Sequence, residues 1–374
     1  MGLEEGTRAG LDIDDISSIL KGHLPDRYQF NPSAPLQSEA SGYRRSPGLK
    51  DKIHCMAYIM DACKISIMPT KLQEKLDAIH RKVNLMESTE PEKPWRTIVW
   101  ESEERKELMD RIRSYKPMVS SVPQCRVLLI GAVGAGKSSF FNSLNSVFRG
   151  HVTSQAISGS STTSLTTQFR TYSVKSGREG NPLPIILCDT MGLEESTGAG
   201  LDIDDISSIL KGHLSDHYQF NPSAPLQPGA RGYRKSPGLK DKIHCVAYVM
   251  DACKISIMPK KLQEKLDAIR TRVNSLEIPQ LVLLTKVDEA CPLVMEDVSK
   301  VYKSAYIKKM MQEASARLGV PLSCIVPLKN YTEELELDTN TDILLLSAVI
   351  QMLRFADDYF DNISRKFSNI EIKE

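Results

Sequence analysis

The sequence Arg126-Val-Leu-Leu-Ile130 runs directly into Gly131-Ala-Val-Gly-Ala-Gly-Lys-Ser138. The second stretch fits the pattern G-x-x-x-x-G-K-[S/T] without a mismatch. The apolar run before it and the amphipathic residues 139–148 after it predict a strand, a loop and a helix. In that arrangement backbone N–H groups and the positive end of the helix face a bound anion. The stretch therefore predicts a phosphate-binding loop, against the alternative of a glycine-rich turn that binds nothing.

This loop would form one end of a nucleotide site. The ammonium group of Lys137 would contact the β- and γ-phosphates, and the hydroxyl of Ser138 would ligate Mg²⁺. The loop residues that we expect to contact the nucleotide are Gly131, Gly134, Ala135, Gly136, Lys137, Ser138 and Ser139.

A second motif, Asp189-Thr-Met-Gly192, follows a predicted strand at residues 184–188. Asp189 can hold Mg²⁺ through water, and the N–H of Gly192 can contact the γ-phosphate. A threonine of the polar segment 150–167 should complete the metal site, and the candidates are Thr163 and its neighbour Thr162. The alternatives within that segment are Ser161, Thr166 and Thr167.

A third motif, Thr285-Lys-Val-Asp288, fits the pattern [N/T]-K-x-D. The Asp288 carboxylate can accept hydrogen bonds from both N–H groups of guanine, which adenine does not offer in that pattern. The stem of Lys286 can lie against the base, and Thr285 replaces the commoner Asn, which would cost a supporting hydrogen bond. A loop at Leu328-Lys-Asn330 is a further candidate for base contact. The predicted cofactors are GTP or GDP with Mg²⁺.

Two side chains argue against rapid hydrolysis of that nucleotide. Leu193 follows Gly192 at a position where a glutamine often orients the attacking water, and it has no polar atom for this purpose. Val133 places a branched side chain in the loop where an arginine finger would approach the γ-phosphate. Water oriented by other groups, such as a partner chain, is the alternative.

Strands alternate with helices along the chain, which predicts an α/β fold: a P-loop GTPase-type three-layer sandwich with a mostly parallel sheet. We expect a linker and helix at 86–119, the GTP-binding P-loop domain at 120–364 and a polar tail at 365–374. The predicted strands are 168–175, 184–188, 243–251, 281–288 and 323–327, and the predicted helices are 102–115, 260–273, 298–318 and 342–362.

Residues 1–85 repeat residues 191–275 at an offset of 190, with roughly 85% identity. This N-terminal copy has a helix-like segment at 14–22, a strand at 53–61 and a helix at 70–83, but no phosphate loop. A lone apolar strand needs partners, so we expect the fragment not to fold alone. Two interpretations stay open. The fragment is a duplicated or mis-joined coding segment that is disordered or loosely docked, or its strand pairs with a sheet edge or swaps for its copy in another chain.

Charge and composition restrict the class of partner and the cellular compartment that we expect. The chain has 374 residues and a net charge of +1, which gives no electrostatic case for nucleic acid as a partner. No apolar run approaches the length that a membrane-spanning helix needs. Eight cysteines without a signal peptide predict reduced thiols and a cytoplasmic location. The pair Cys245/Cys253 and its copy Cys55/Cys63 flank a predicted strand without a histidine pair for zinc, so buried thiols are expected.

Six short strings stand out between residues 94 and 364: Pro94-Trp-Arg, Ser138-Ser-Phe-Phe-Asn-Ser, Arg149-Gly-His-Val-Thr, Tyr218-Gln-Phe-Asn-Pro, Ser236-Pro-Gly-Leu-Lys-Asp and Glu336-Leu-Asp. Through them this region resembles the interferon-induced protein 44 family, including its 44-like members. The resemblance implies a cytoplasmic protein induced in innate antiviral responses, with a guanine-nucleotide site. Family members commonly carry an N-terminal TLDc domain, whereas residues 1–85 here are the duplicated fragment.

These observations favour a guanine-nucleotide-binding protein of the interferon-induced antiviral response, with slow or absent hydrolysis to GDP and phosphate. One alternative is a scaffold that keeps the fold without nucleotide. Another is a GTPase activated by self-association through the duplicated segment. The sequence does not identify a protein partner.

Overall fold

The computed structural model describes residues 13–24, 28, 43–47, 76, 79, 93–154, 156, 168–177, 180–194, 201, 203–221 and 225–371. The chain divides into two compact units, Met1–Glu90 and Pro91–Glu374. The predicted strand 53–61 lies outside the described residues, and of the predicted helix 70–83 only positions 76 and 79 are described, both helical. That the fragment does not fold alone therefore stays a prediction.

The first unit contains helix α1 (Ile13–Leu20) and a turn that follows it. The ring of His23 stacks on Tyr43 at 4.7 Å, and Arg44 donates to the carbonyl oxygen of Gly22 at 3.0 Å. The second copy has the same stack, with His213 and Tyr233 also at 4.7 Å. The two copies therefore share this local structure as well as their sequence.

The second unit is built on one six-stranded sheet in the order β2-β3-β1-β4-β5-β6. Strands β1, β3, β4, β5 and β6 run parallel to their neighbours, and β2 pairs antiparallel with β3 at the edge. β4 is buried along its whole length, as expected of a central parallel strand. The strands are β1 (Cys125–Ile130), β2 (Arg170–Lys175), β3 (Pro182–Asp189), β4 (Cys245–Asp251), β5 (Gln280–Thr285) and β6 (Ile325–Pro327).

Helices cover the sheet in two groups. The helices after α1 are α2 (Ser102–Ser114), α3 (Lys137–Arg149), α4 (Ile203–Leu210), α5 (Lys260–Ser275), α6 (Val287–Ala290), α7 (Pro292–Glu296), α8 (Ala305–Leu318) and α9 (Thr339–Glu371). Helix α9 packs on α2 and α3, whereas α5 packs on α4 and α8. This arrangement confirms the predicted α/β fold, a three-layer sandwich of the P-loop GTPase type.

Two predicted helices have different bounds in the structure. The segment 298–318 is not one helix: a 3₁₀ helix (Val298–Tyr302) is followed by α8. The break lies at Ser304, whose hydroxyl accepts the N–H of Ile307 at 3.1 Å and caps α8. Helix α9 continues to Glu371, through most of the segment predicted as a polar tail.

Residues 93–100 pack on the rest of the second unit although the sequence predicts a linker there. The guanidinium of Arg96 donates to the carbonyl oxygens of Ile325 at 2.9 Å and Leu322 at 2.8 Å. It also lies 5.4 Å from the ring centre of Trp95 and 5.3 Å from that of Tyr302, within cation–π range. The domain boundaries themselves stay a prediction.

The neutral imidazole ring of His244 forms hydrogen bonds with two other parts of the chain. Its Nδ1 accepts the N–H of Arg126 at 2.9 Å, and its Nε2 donates to the carbonyl oxygen of Leu239 at 2.9 Å. Burial lowers the pKa of His244 to about 4. Because both ring nitrogens are engaged, His244 is not free to bind a metal.

Mild acid is expected to destabilise the fold through His244. The unfolded chain takes up this proton near pH 6.5 and the folded chain only near pH 4, so stability is full above pH 6.5 and falls as the pH decreases between these values. The loss approaches roughly 3 kcal/mol when both forms are protonated. Urea unfolding at about pH 7.5 and about pH 5 measures it. The difference between the two pH values should shrink in His244→Gln and persist in the exposed-residue control His151→Gln; equal pH dependence in both variants would contradict the prediction.

Candidate nucleotide-binding site

The predicted site lies at the carboxyl ends of β1, β3, β4, β5 and β6, where a parallel α/β sheet positions its ligands. The phosphate loop joins β1 to α3. Gly136 adopts φ of +98°, a left-handed conformation that favours glycine. A Cβ atom added to Gly136 would lie 2.8 Å from Nδ2 of Asn330. Glycine at this position therefore allows both the loop conformation and close packing against Asn330.

Lys137 begins α3 and is buried, with 6% of its surface exposed. Its Nζ donates to the carbonyl oxygens of Gly131 and Ala132, both at 3.0 Å. Burial lowers the pKa of Lys137, and the neighbouring Asp189 opposes this. The ammonium group is thus held within the loop, beside the position where phosphates would bind.

Ser138 and Asp189 form a hydroxyl–carboxylate pair. The Oγ of Ser138 donates to Oδ2 of Asp189 at 2.6 Å, and Oδ1 of Asp189 has no hydrogen-bond partner in the described part of the chain. Burial raises the pKa of Asp189, while Lys137 and the Ser138 bond lower it. Oxygen ligands of this kind suit Mg²⁺, so these residues fit the predicted ion. Thr163 and its alternatives lie outside the described residues.

The residues after Asp189 pack against the phosphate loop. The N–H of Leu193 donates to the carbonyl oxygen of Gly131 at 3.0 Å, and the N–H of Val133 donates to that of Leu193 at 3.3 Å. A Cβ atom added to Gly192 would lie 2.6 Å from Cγ2 of Val133. Leu193 is 2% exposed and lines an apolar cavity of about 520 Å³ beneath the loop. Its side chain therefore contributes to the core in this structure.

Thr285 ends β5 and connects to the phosphate loop. Its hydroxyl lies 2.6 Å from the carbonyl oxygen of Ala135 and 3.1 Å from that of Met250. A direct link between the base motif and the phosphate loop is therefore present with threonine at this position. The sequence suggested that the change from Asn would cost a supporting hydrogen bond and did not indicate this contact.

Lys286 and Asp288 lie in the turn after β5. Lys286 adopts φ of +59°, and its Nζ lies 3.4 Å from Oδ2 of Asp251 and 3.6 Å from Oε2 of Glu289. Asp288 is mostly buried and lies 4.0 Å from Nζ of Lys329. Burial raises the pKa of Asp288, and Lys329 opposes this.

Asn330, in the weakly predicted loop after β6, completes this end of the site. It is 7% exposed, and its Nδ2 donates to the carbonyl oxygen of Gly136 at 3.3 Å. A cavity of about 540 Å³ is lined by residues of the phosphate loop, the base motif and the loop after β6, including Gly134, Gly136, Ser139, Lys286, Asp288 and Asn330. The structure thus brings residues from three distant parts of the sequence to one cavity.

The cysteine prediction was wrong in part, because Cys253 is exposed whereas Cys245 is buried. Cys55 and Cys63 lie outside the described residues. Over the residues that the structure describes, no group of three or more His, Cys, Asp or Glu side chains could hold a metal ion. Within the same residues, no helix combines the length and apolarity needed to cross a bilayer.

Comparison with known proteins agrees with the motif order. A family model described as a 50S ribosome-binding GTPase matches residues 126–286. Interferon-induced protein 44-like from Homo sapiens is 45% identical over 266 residues, which are 71% of this chain and 59% of that protein. Interferon-induced protein 44 from Homo sapiens is 43% identical over 259 residues, covering 69% and 58%. The chain belongs to the interferon-induced protein 44 family.

The matched region covers only part of each relative. Interferon-induced protein 44 from Mus musculus is 39% identical over 256 residues, 68% of this chain and 60% of that protein. The chain therefore spans less than two thirds of the length of these relatives. The GTPase family model covers the first two motifs and the first two residues of the third.

Two solved structures of GTP-binding proteins are less similar to this chain than these relatives are. A probable GTP-binding protein engB is 12% identical and covers 62% of this chain and 99% of its own, with a TM-score of 0.33. A variant of Era from Aquifex aeolicus bound to GDP·AlF₄⁻ is 14% identical and covers 62% and 56%, with a TM-score of 0.30. We therefore assign the fold of this chain from its own strand order.

Proposed function

We propose that this chain binds GTP or GDP together with Mg²⁺. The observation that carries the proposal is the single cavity of about 540 Å³ that Gly134, Gly136 and Asp288 line together. Phosphates would lie on the phosphate loop and Lys137, and the base would lie toward Asp288. Ser138 and Asp189 would hold the ion, with Thr163 as the third ligand. When bound, Mg²⁺ would neutralise charge on the β- and γ-phosphates.

Guanine is the base that this donor and acceptor pattern favours. The Asp288 carboxylate can accept both N–H groups on the edge of guanine, whereas adenine would leave the mostly buried carboxylate without a matching donor. The stem of Lys286 would lie against the base, and Thr285 supports the motif through Ala135. The full predicted contact set is Gly131, Gly134, Ala135, Gly136, Lys137, Ser138, Ser139, Thr163, Asp189, Gly192, Thr285, Lys286 and Asp288.

Hydrolysis of the bound GTP would be slow or absent. The side chain of Leu193 is apolar and buried, so it cannot orient an attacking water. The branched side chain of Val133 packs close to Gly192, where a glutamine or an arginine finger would otherwise approach. Bound GTP would then persist without conversion to GDP.

The biological setting follows from the named relatives, which are interferon-induced proteins. We place this chain in the cytoplasm as a nucleotide-gated binding protein of the antiviral response, with an unidentified protein partner. The alternatives are a scaffold without nucleotide and a GTPase activated by self-association.

Competition against a fluorescent GDP analogue tests the proposal on the full chain. GTP and GDP should displace the analogue at concentrations at least about 100-fold lower than ATP, because the misfit at Asp288 is worth roughly 3 kcal/mol. Equal displacement by ATP would contradict guanine recognition, and no binding of the analogue would favour the scaffold. Phosphate release that rises more than in proportion to protein concentration would favour the self-associating GTPase over a slow one.

A further inference from the structure

The loop after β6 places a charged pair beside Asp288. The Nζ of Lys329 lies 2.6 Å from Oε1 of Glu334 and 4.0 Å from Oδ2 of Asp288. Lys329 and Asp288 each have only 19% of their side-chain surface exposed, so solvent screens their interaction incompletely. The patterns that define the three motifs include neither Lys329 nor Glu334.

Glu334 is held in place by its own loop. Its Oε2 accepts the N–H of Thr332 at 2.8 Å and that of Glu333 at 3.1 Å. Although burial raises the pKa of Glu334, its bonds to Lys329 and to the loop amides lower the pKa to about 2. Glu334 is therefore ionised at neutral pH and fixes the position of the Lys329 ammonium group.

The other charged groups around Asp288 are engaged with each other. Lys286, two residues before Asp288, lies 3.4 Å from Oδ2 of Asp251 at the end of β4 and 3.6 Å from Oε2 of Glu289. Among the residues that the structure describes, Lys329 is the cation paired with Asp288. Burial raises the pKa of Asp288, Lys329 lowers it, and Glu334 raises it weakly.

We propose that Lys329, positioned by Glu334, is a specificity-determining residue for the base, because its charge keeps Asp288 in the carboxylate form that guanine requires. This proposal rests on the proposed guanine-nucleotide function. A protonated Asp288 would present an O–H group toward the N–H donors of guanine and could accept at only one oxygen. Without the charge of Lys329, guanine recognition would weaken as the pH falls.

The test compares the full-length chain with Lys329→Met, Lys329→Arg and Glu334→Gln. Affinities for GDP and ADP are measured by competition between about pH 6 and pH 8.5, and their ratio removes the titration of the phosphates themselves. In Lys329→Met, the preference for GDP over ADP should be lower at pH 6 than at pH 8.5 by about threefold or more, because loss of the neighbouring charge raises the pKa of Asp288. Lys329→Arg should retain the original profile, and Glu334→Gln should not move it toward that of Lys329→Met, because Glu334 itself raises the pKa of Asp288.

Two results would overturn the role of Lys329. One is a pH profile in Lys329→Met that is parallel to that of the unaltered chain, because a purely structural contribution to the loop would lower affinity equally at every pH. The other is an equal loss in Lys329→Arg, which keeps the charge. Either result, in a chain that still prefers guanine, contradicts only this inference, whereas absence of GDP binding in the unaltered chain contradicts the proposed function as well.

Discussion

Replacing Asp288 by Asn is expected to transfer the preference of the chain from guanine to xanthine nucleotides. Guanine offers two N–H donors to Asp288, whereas xanthine offers one N–H donor and one carbonyl acceptor. An asparagine amide supplies one acceptor and one donor, which matches xanthine. With guanine, asparagine keeps one hydrogen bond and leaves two N–H donors facing each other at a mostly buried position, which corresponds to roughly 3 kcal/mol, or about a 100-fold loss of GTP affinity.

Competition with GTP and XTP on the same protein preparation measures this exchange. The control is Glu289→Gln, which removes the same charge from the next residue of α6 and should leave GTP preferred. If Asp288→Asn still prefers GTP over XTP, Asp288 does not contact the base edge. The assignment of the base end of the cavity would then be wrong.

Replacing Lys137 by Ala is expected to lower the affinity for GTP by at least about 100-fold. The ammonium group is held in the loop by Gly131 and Ala132, so it is positioned before the phosphates arrive. Its loss removes a charge-assisted contact with two phosphates, and such contacts are worth roughly 3 kcal/mol together. Isothermal titration with GTP and Mg²⁺ measures the change.

A loss of folding must be separated from a loss of binding in this variant. Removing the ammonium group relieves its desolvation cost but leaves the buried Asp189 without its neighbouring positive charge. The melting temperature of Lys137→Ala is therefore measured alongside its GTP affinity, and the affinity is compared only below the melting transition. Lys211→Ala, which removes an exposed lysine, is the matched control and should bind GTP normally. Unchanged GTP affinity in folded Lys137→Ala would refute the phosphate assignment.

Features that depend on residues close together in the sequence could be predicted from the sequence. The phosphate loop is a continuous stretch whose glycines and flanking apolar runs define its own geometry, and the alternation of strands and helices predicted the parallel sheet. Short strings such as Tyr218-Gln-Phe-Asn-Pro and Ser236-Pro-Gly-Leu-Lys-Asp also indicated the family that the comparisons confirm.

Contacts between distant residues were harder to predict. Thr285 reaches Ala135 across 150 positions, and Asn330 reaches Gly136 across 194. No local pattern encodes such pairs, although a polar residue directly after an apolar strand marks the ligand-binding edge of an α/β sheet. The split at Ser304 did have a local signal, because serine is a preferred N-cap, but the apolar periodicity on both sides concealed it. Thr163 keeps its predicted role without a structural observation, since it lies outside the described residues.

Identification of the nucleotide that the chain selects from a mixture tests the central claim most directly. The chain is equilibrated with equal concentrations of GTP and ATP in Mg²⁺, separated from free nucleotide and denatured, and the released nucleotide is quantified by chromatography. We predict close to one guanine nucleotide per chain for the unaltered protein and almost none for Lys137→Ala. Release of adenine nucleotide, or of no nucleotide from a folded chain, would contradict the account.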